Sequence, residues 1–191
     1  MNIDLPGFAD PVAQAQSSFR ALLDAMARPG TIRAAGAGLM PPSPLDPATA
    51  AVLLTLIDGD ARLHIAADCA PARDWLVFHC GTMPCPDPAT AGFVVATALP
   101  DLATLSAGSD EAPESSATLV LQVAALGTGT KWRLAGPGLK EPAILRVTGL
   151  PDDFAARWAP NHALFPRGVD LVLCAGTALA AVPRTVAITE G

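Results

Sequence analysis

The spacing of apolar residues changes near residue 60, and this change limits the chain to folds that combine helices with short strands. Before it, residues 11–28 carry apolar side chains at intervals of three and four, which predicts a helix with one buried face. Asp10 is placed to cap that helix, and Pro11 suits its first position, where an N–H would have no helical partner. A second Asp-Pro pair precedes residues 48–57, an apolar stretch that predicts a deeply buried helix.

After residue 60 the apolar runs are short and are separated by turn-forming residues. We expect strands at 62–65 and 93–96, helices at 71–78 and 152–162, a helical turn at 101–106 and a surface loop at 108–116. One hairpin is predicted to join 118–123 to 131–134, and another to join 169–173 to 179–182. Because helices and strands mix without a strict βαβ rhythm, the sequence predicts an α/β or α+β protein with a mixed sheet.

Length and charge narrow the functional classes. The chain has 191 residues, which predicts a single domain over 1–191, and 51% of them are hydrophobic. A net charge of −6 without any cluster of Lys and Arg disfavours nucleic acid and anionic membranes as partners. The N-terminal residues lack the basic and apolar regions of a secretory signal, and the longest apolar stretch, 49–57, is about half of a bilayer span. We therefore expect a cytoplasmic protein.

Metal-binding, phosphate-binding and nucleophilic motifs are weak throughout. Cys80 and Cys85 are separated by four residues, among them Pro84, which is the wide limit of zinc spacing, so we expect no metal and four reduced, mostly buried thiols. The glycine-containing segment at 127–131 fails the P-loop spacing, and neither it nor the segment at 136–138 leads into a helix, so both predict turns. A GxSxG elbow is absent from the sequence. The catalytic residues therefore stay unknown at this stage.

Arginines are the more informative residues. Arg167 precedes one strand of the second predicted hairpin and Arg184 follows the other, so pairing of these strands would bring both guanidiniums to one end of the sheet. This arrangement predicts an anion-binding site for phosphate or carboxylate. The alternative is that the arginines form ion pairs with nearby carboxylates such as Asp170. Arg20, midway along the first helix, is a candidate half-buried ion-pair partner.

An ordered set of short motifs extends from about residue 10 to residue 185. Its members are 19–30 (FRALLDAMARPG), 51–58 (AVLLTLID), 78–79 (FH), 117–123 (ATLVLQV), 134–138 (LAGPG), 165–173 (FPRGVDLVL) and 181–185 (AVPRT). In this order the chain resembles the PhnH subunit family of the carbon–phosphorus lyase system, which degrades phosphonates. The family motif positions that carry over are Arg20, His79, Asp170 and Arg184.

The resemblance implies a fold and a context that the residues alone do not. The implied fold is a mixed sheet flanked by helices, similar to a reduced pyridoxal-phosphate-dependent transferase fold without the cofactor. The implied assembly is a homodimer within a core complex that contains PhnG, PhnI and PhnJ. That complex couples an alkylphosphonate to the ribose of ATP before the C–P bond is cut. The implied role of the PhnH subunit is assembly or assistance, and it has no known cofactor.

Two other functions stay open. The implied fold suggests a pyridoxal-phosphate-type transferase, which needs a lysine for the Schiff base. The sequence has only two lysines, Lys131 after a predicted turn and Lys140 beside Glu141, and neither precedes a glycine-bearing helix start. We therefore expect no Schiff-base role. The other alternative is a small-anion binding protein that holds a phosphonate or nucleotide through Arg167 and Arg184.

Overall fold

The structure is a computed structural model, and it describes residues 2–191. Its α-helices are α1 (Pro11–Ala27), α2 (Pro47–Leu56), α3 (Arg73–Cys80) and α4 (Phe154–Ala163). Its strands are β1 (Arg33–Ala34), β2 (Leu63–Ile65), β3 (Phe93–Ala96), β4 (Thr118–Gln122), β5 (Ala125–Ala135), β6 (Ala143–Thr148), β7 (Asp170–Ala175), β8 (Ala178–Val182) and β9 (Ala187–Glu190). Short 3-10 helices lie at Asn2–Asp4, Ala67–Ala72, Pro88–Thr90, Leu102–Thr104 and Pro113–Ser115.

Within residues 2–191 the strands form a six-stranded mixed sheet and a three-stranded antiparallel sheet. The larger sheet has the order β1-β8-β7-β4-β3-β2, and the smaller has the order β6-β5-β9. In the larger sheet β2, β3, β4 and β7 are parallel to one another. At one edge β8 pairs antiparallel with β7, and β1 pairs antiparallel with β8. The predicted α/β class with a mixed sheet and flanking helices is thereby confirmed.

Alternate residues of the central strands enter two separate cores, because successive side chains of a strand point to opposite faces. On one face Val95, Val120 and Val172 pack under α1, α2 and α3. On the other face Leu119 and Leu171 pack against the three-stranded sheet and α4. The chain therefore has three layers: helices, the large sheet, and the small sheet with α4.

The first predicted hairpin is wrong. β4 pairs with β3 and β7 in the large sheet, whereas β5 pairs with β6 and β9 in the small one. The burial patterns explain the separation, since β4 is apolar on both faces and suits a central parallel strand, whereas Lys131 to Leu134 alternates between exposed and buried. The residues predicted as its turn lie inside β5, where Leu126 and Thr130 both face Val147 across a bulge.

Several other boundaries also differ from the predictions. The second hairpin is confirmed, because β7 and β8 pair around Gly176. Asp10 caps α1 as expected, with its Oδ1 accepting from the Ala13 N–H at 3.0 Å. The helix predicted at 71–78 is instead a 3-10 segment followed by α3, and the short strands β1, β6 and β9 were not predicted. Among the described residues, none of the helices is long and apolar enough to cross a bilayer.

Candidate functional site

Arg184 and Asp170 form a closely bonded pair at the amino end of β7. Arg184 comes two residues after β8, so it reaches Asp170, the first residue of the antiparallel neighbour. Its Nη2 lies 2.5 Å from Asp170 Oδ2, its Nε lies 3.2 Å from each carboxylate oxygen, and its Nη1 donates to the Pro113 carbonyl at 2.7 Å. The two side chains are only 14% and 16% exposed. The Arg184 guanidinium is thus largely engaged by partners within the chain.

Arg167 forms a more open ion pair nearby. Its Nε lies 3.1 Å from Asp110 Oδ1, with the N–H not directed at that oxygen, so the contact is ionic rather than a hydrogen bond. The side chains are 37% and 75% exposed. Since Asp110 and Pro113 both belong to the loop at 108–116, the two arginines hold this acidic loop. The ion-pair alternative therefore describes both residues, with Asp170 as the partner of Arg184.

The backbone around these arginines is fixed by hydrogen bonds from α4 and the loop. Buried Asn161 donates to the Val169 carbonyl at 2.9 Å and accepts from the Val169 N–H at 2.7 Å. Gly168 has a φ of +121°, and a Cβ there would lie 2.9 Å from the Asn161 carbonyl oxygen, so this close approach requires glycine. The entry into β7 is therefore rigidly placed against α4.

The other two motif positions, Arg20 and His79, lie in the helical layer. Arg20 is exposed on α1. His79 on α3 has its Nε2 3.0 Å from the Leu5 carbonyl oxygen, and its ring lies 4.7 Å from that of Trp75, which donates to the same carbonyl at 2.8 Å. His79 therefore anchors the N-terminal segment to α3. Of the four motif positions, the structure brings Asp170 and Arg184 into contact.

The carboxyl ends of β4 and β7 are filled by the start of α2. Ligands of open α/β sheets bind at this end of the strands. Here Gln122 Oε1 accepts from the Asp46 N–H at 2.6 Å and from Thr49 Oγ1 at 2.9 Å, and its Nε2 donates to the Pro44 carbonyl at 2.7 Å. Asp46 Oδ2 in turn accepts from the Gly176 N–H at 2.8 Å. Groups of the protein itself thus fill this end of the sheet.

Two cavities lie on the side of the large sheet that faces α4. One of about 580 Å³ lies between the 3-10 helix at Leu102–Thr104 and α4, and is mostly apolar apart from Asp101, Arg157 and Asn161. The other, about 340 Å³, lies beside the carboxyl ends of β2 and β3 and includes His64 and Asp68. Burial alone would raise the pKa of Asp68, but hydrogen bonds from the Thr97 hydroxyl and the Thr97 and Ala98 amides lower it. Asp68 is therefore a structural carboxylate that joins the ends of β2 and β3.

The four thiols are buried, whereas both lysines are exposed. The four cysteines are free and buried, as predicted, and burial raises the pKa of three of them to about 12: Cys69, Cys80 and Cys174. Lys131 is exposed on β5, and Lys140 is exposed in the connection from β5 to β6. Neither lines a cavity found in the described chain. Among residues 2–191, no three His, Cys, Asp or Glu side chains converge as a metal site.

Comparison with known proteins decides the family. A family model described as "Bacterial phosphonate metabolism protein (PhnH)" matches residues 6–189. The chain belongs to the PhnH family. It is 43% identical over 183 residues to the "Alpha-D-ribose 1-methylphosphonate 5-triphosphate synthase subunit PhnH" of Rhizobium meliloti, covering 93% of this chain and 92% of that protein. It is 33% identical over 174 residues to the "Putative C-P lyase subunit protein HtxG" of Stutzerimonas stutzeri, covering 91% and 85%.

The PhnH assignment confirms the family predicted from the ordered motifs. Sequence reasoning missed Gln122 and Asp46, the residues that close the carboxyl end of the sheet in this PhnH-family chain. A signal was present, because Gln122 is a polar residue within an otherwise apolar strand. A polar side chain in a strand that is otherwise apolar on both faces usually indicates a hydrogen-bonded junction.

Proposed function

We propose that this chain is an assisting subunit of the carbon–phosphorus lyase core complex and is needed for the catabolism of organic phosphonates. The complex would couple an alkylphosphonate to the ribose of ATP before the C–P bond is cleaved. The observation that carries the proposal is the 43% identity, over nearly the full length of both chains, to a subunit of α-D-ribose 1-methylphosphonate 5-triphosphate synthase. The internal engagement of Arg184 and Asp170 supports an assisting role, because these motif residues stabilise the fold.

The proposed assembly is a homodimer that binds PhnG, PhnI and PhnJ in the cytoplasm, with residues 1–191 acting as one domain. Its support is the word subunit in the names of both relatives, together with exposed apolar side chains on α1. Val12 is 81% exposed, Phe19 48% and Leu23 56%. Exposed apolar groups of this size are removed from water when a subunit interface forms.

The test is co-purification of the tagged chain with the other subunits from cells grown on methylphosphonate as the sole phosphorus source. We expect PhnG, PhnI and PhnJ homologues to be recovered, and a deletion strain to stop growing on methylphosphonate while still growing on phosphate. Growth of the deletion strain at the normal rate on methylphosphonate would refute the proposed role. Recovery of the tagged chain alone would refute the proposed partners.

A small-anion site at Arg167 and Arg184 is the second candidate. It is favoured by the open ion pair of Arg167 with Asp110, where a phosphonate or a nucleotide phosphate would replace the exposed carboxylate. Calorimetric titration with ATP and with methylphosphonate tests it, and Arg167→Met is expected to abolish any heat of binding. Titrations without heat for either ligand would exclude this site in the isolated chain.

The likeness to a reduced pyridoxal-phosphate-dependent transferase fold is also a proposal. Its support is the mixed sheet with helices on one face. The corresponding enzymatic function is disfavoured by the exposed positions of Lys131 and Lys140. An absorbance band of a lysine aldimine, formed with added pyridoxal phosphate and lost in Lys131→Ala, would reverse this conclusion.

A further inference from the structure

The outer face of the three-stranded sheet carries three cationic side chains, Lys131 and Arg133 on β5 and Arg146 on β6. We call them the basic sheet face. All three are exposed, whereas the residues that alternate with them, Trp132 and Leu145 among them, are buried in the core. Lys131 lies directly opposite Arg146 in the strand register. Opposed residues have Cβ atoms about 5 Å apart, and Arg133 is about 7 Å further along the strand.

Like charges placed directly opposite each other destabilise a sheet. In this chain acidic groups are abundant, with 18 Asp and Glu against 12 Lys and Arg. Five arginines of the described chain form ion pairs with aspartates: Arg28, Arg33, Arg157, Arg167 and Arg184. The basic sheet face has no such partner within 4 Å among the described residues. Lys131 and Arg146 therefore face each other without an ion pair to a carboxylate among the described residues, and Gly191 lies beside them, with its N–H donating to the Lys131 carbonyl at 3.0 Å.

From this arrangement we propose that the basic sheet face docks an acidic surface of another protein subunit. The inference rests on the proposed function and adds to it the surface of contact and the charge of the partner. An acidic surface would relieve the repulsion between Lys131 and Arg146 and would be attracted from a distance.

The shape of the face favours a protein over a small anion. None of the three cations lines a cavity described above, and all three side chains are exposed on the sheet. A protein surface would also cover Ile144, which is 49% exposed beside Arg133. A net charge of −6 opposes binding of nucleic acid to the chain as a whole.

The test uses Lys131→Glu, which places a carboxylate opposite Arg146. This variant is expected to unfold at the same or a higher temperature than the wild type, because a like-charge pair becomes an opposite-charge pair. Its affinity for the purified complex of PhnG, PhnI and PhnJ is expected to fall roughly tenfold or more. Arg73→Glu on α3 is the matched control, since Arg73 is also exposed and its change in net charge is the same. The control is expected to bind within about twofold of the wild type.

Salt provides a second readout. Wild-type affinity is expected to fall as the salt concentration rises from about 50 to about 300 mM, and the fall is expected to be smaller for Lys131→Glu. If wild type and Lys131→Glu bind equally with the same salt dependence, the docking surface is refuted while the proposed function stands. If the wild type does not bind the complex at any salt concentration, the proposed function itself fails.

Two further outcomes identify a different occupant and would also overturn the proposal. A change in oligomeric state of Lys131→Glu, measured by light scattering on the isolated chain, would assign the face to a second copy. Binding of ATP that Lys131→Glu abolishes, with subunit affinity unchanged, would assign it to a small polyanion.

Discussion

Replacement of Arg184 by methionine would test whether this arginine stabilises the fold or binds a ligand. The substitution removes the guanidinium and keeps most of the aliphatic stem. It leaves Asp170 with one hydrogen bond from this residue, the backbone N–H at 2.8 Å, and removes the donor to the Pro113 carbonyl. Because the pair is about 15% exposed, breaking it is expected to lower the free energy of unfolding by about 3 kcal/mol. Asp170→Asn is expected to cost about half as much, since asparagine still accepts from Arg184.

The assay is urea unfolding of the two single variants and the double variant, which gives a coupling energy for the pair. We expect a coupling of about 1–2 kcal/mol. Arg157→Met is the matched control, because Arg157 also forms an ion pair, with Asp153 at 2.8 Å, but the two side chains are 50% and 56% exposed. An exposed pair of this kind contributes less than about 1 kcal/mol. The difference between the two arginine variants therefore measures the effect of burial.

The reasoning would be refuted if Arg184→Met unfolded at the same urea concentration as Arg157→Met. Stabilisation of the wild type by methylphosphonate, abolished in Arg184→Met, would show that Arg184 binds the anion directly. In that case Asp170→Asn would strengthen anion binding, since it removes a competing carboxylate.

Three further predictions concern buried polar groups and thiols. Burial raises the pKa of three thiols, Cys69, Cys80 and Cys174, to about 12. Above pH 9 the unfolded chain loses these protons while the folded chain keeps them. The contribution of these thiols to the free energy of unfolding is therefore full below pH 9 and is lost as the pH rises towards 12. At pH 10 the free energy of unfolding is expected to be about 4 kcal/mol lower for the three thiols together. A thermal unfolding midpoint that does not drop between pH 8 and pH 10 would contradict this prediction. The absence of tyrosine from the chain simplifies the measurement in this pH range. Hydrogen bonds from Thr90 and Arg62 lower the pKa of Cys85. Iodoacetamide at pH 7 is therefore expected to alkylate Cys85 before the other cysteines, and mass spectrometry that found another cysteine labelled earlier would disprove this. Gln122→Leu is expected to lower the free energy of unfolding by about 2 kcal/mol, because it leaves the part-buried Asp46 N–H and Pro44 carbonyl without their hydrogen-bond partner. An unchanged urea midpoint would show that the junction with α2 is not stabilising.

The class of fold was predictable because local patterns carry it, whereas the division into two sheets was not. The apolar spacing and the cap of α1, and the tight turn of the β7–β8 hairpin, are visible in short windows. The predicted buried face of α1 is only partly right, because Leu22 is buried whereas Val12, Phe19 and Leu23 are exposed. The assignment of β4 and β5 to different sheets depends on partners distant in sequence, β7 and β6. The local sign of this assignment was that β4 is a continuous apolar run, whereas the second half of β5 alternates between polar and apolar residues. A glycine-containing segment between two apolar runs favoured a hairpin instead.

The candidate site followed the same rule. Arg184 follows β8 and Asp170 begins its partner β7, 14 residues earlier, so the ion pair was predictable as an alternative. The carbonyl of Pro113 and the carboxylate of Asp110 come from a loop about 60 to 70 residues earlier, and no periodicity in the sequence points to them. The sequence shows a glycine at position 168, but only the structure shows why glycine is required there, because the Asn161 carbonyl leaves no room for a Cβ.

The distribution of cations separates what this chain does by itself from what it does with partners. Arg184, the residue that a ligand-binding hypothesis selects first, is held by Asp170 and Pro113 within the fold. Lys131, which a cofactor hypothesis selects and then rejects, is exposed opposite Arg146 and forms no ion pair among the described residues. The proposed acidic partner would supply the opposite charge at this face. On the proposed function, this chain would contribute an exposed, charged surface to the assembled complex.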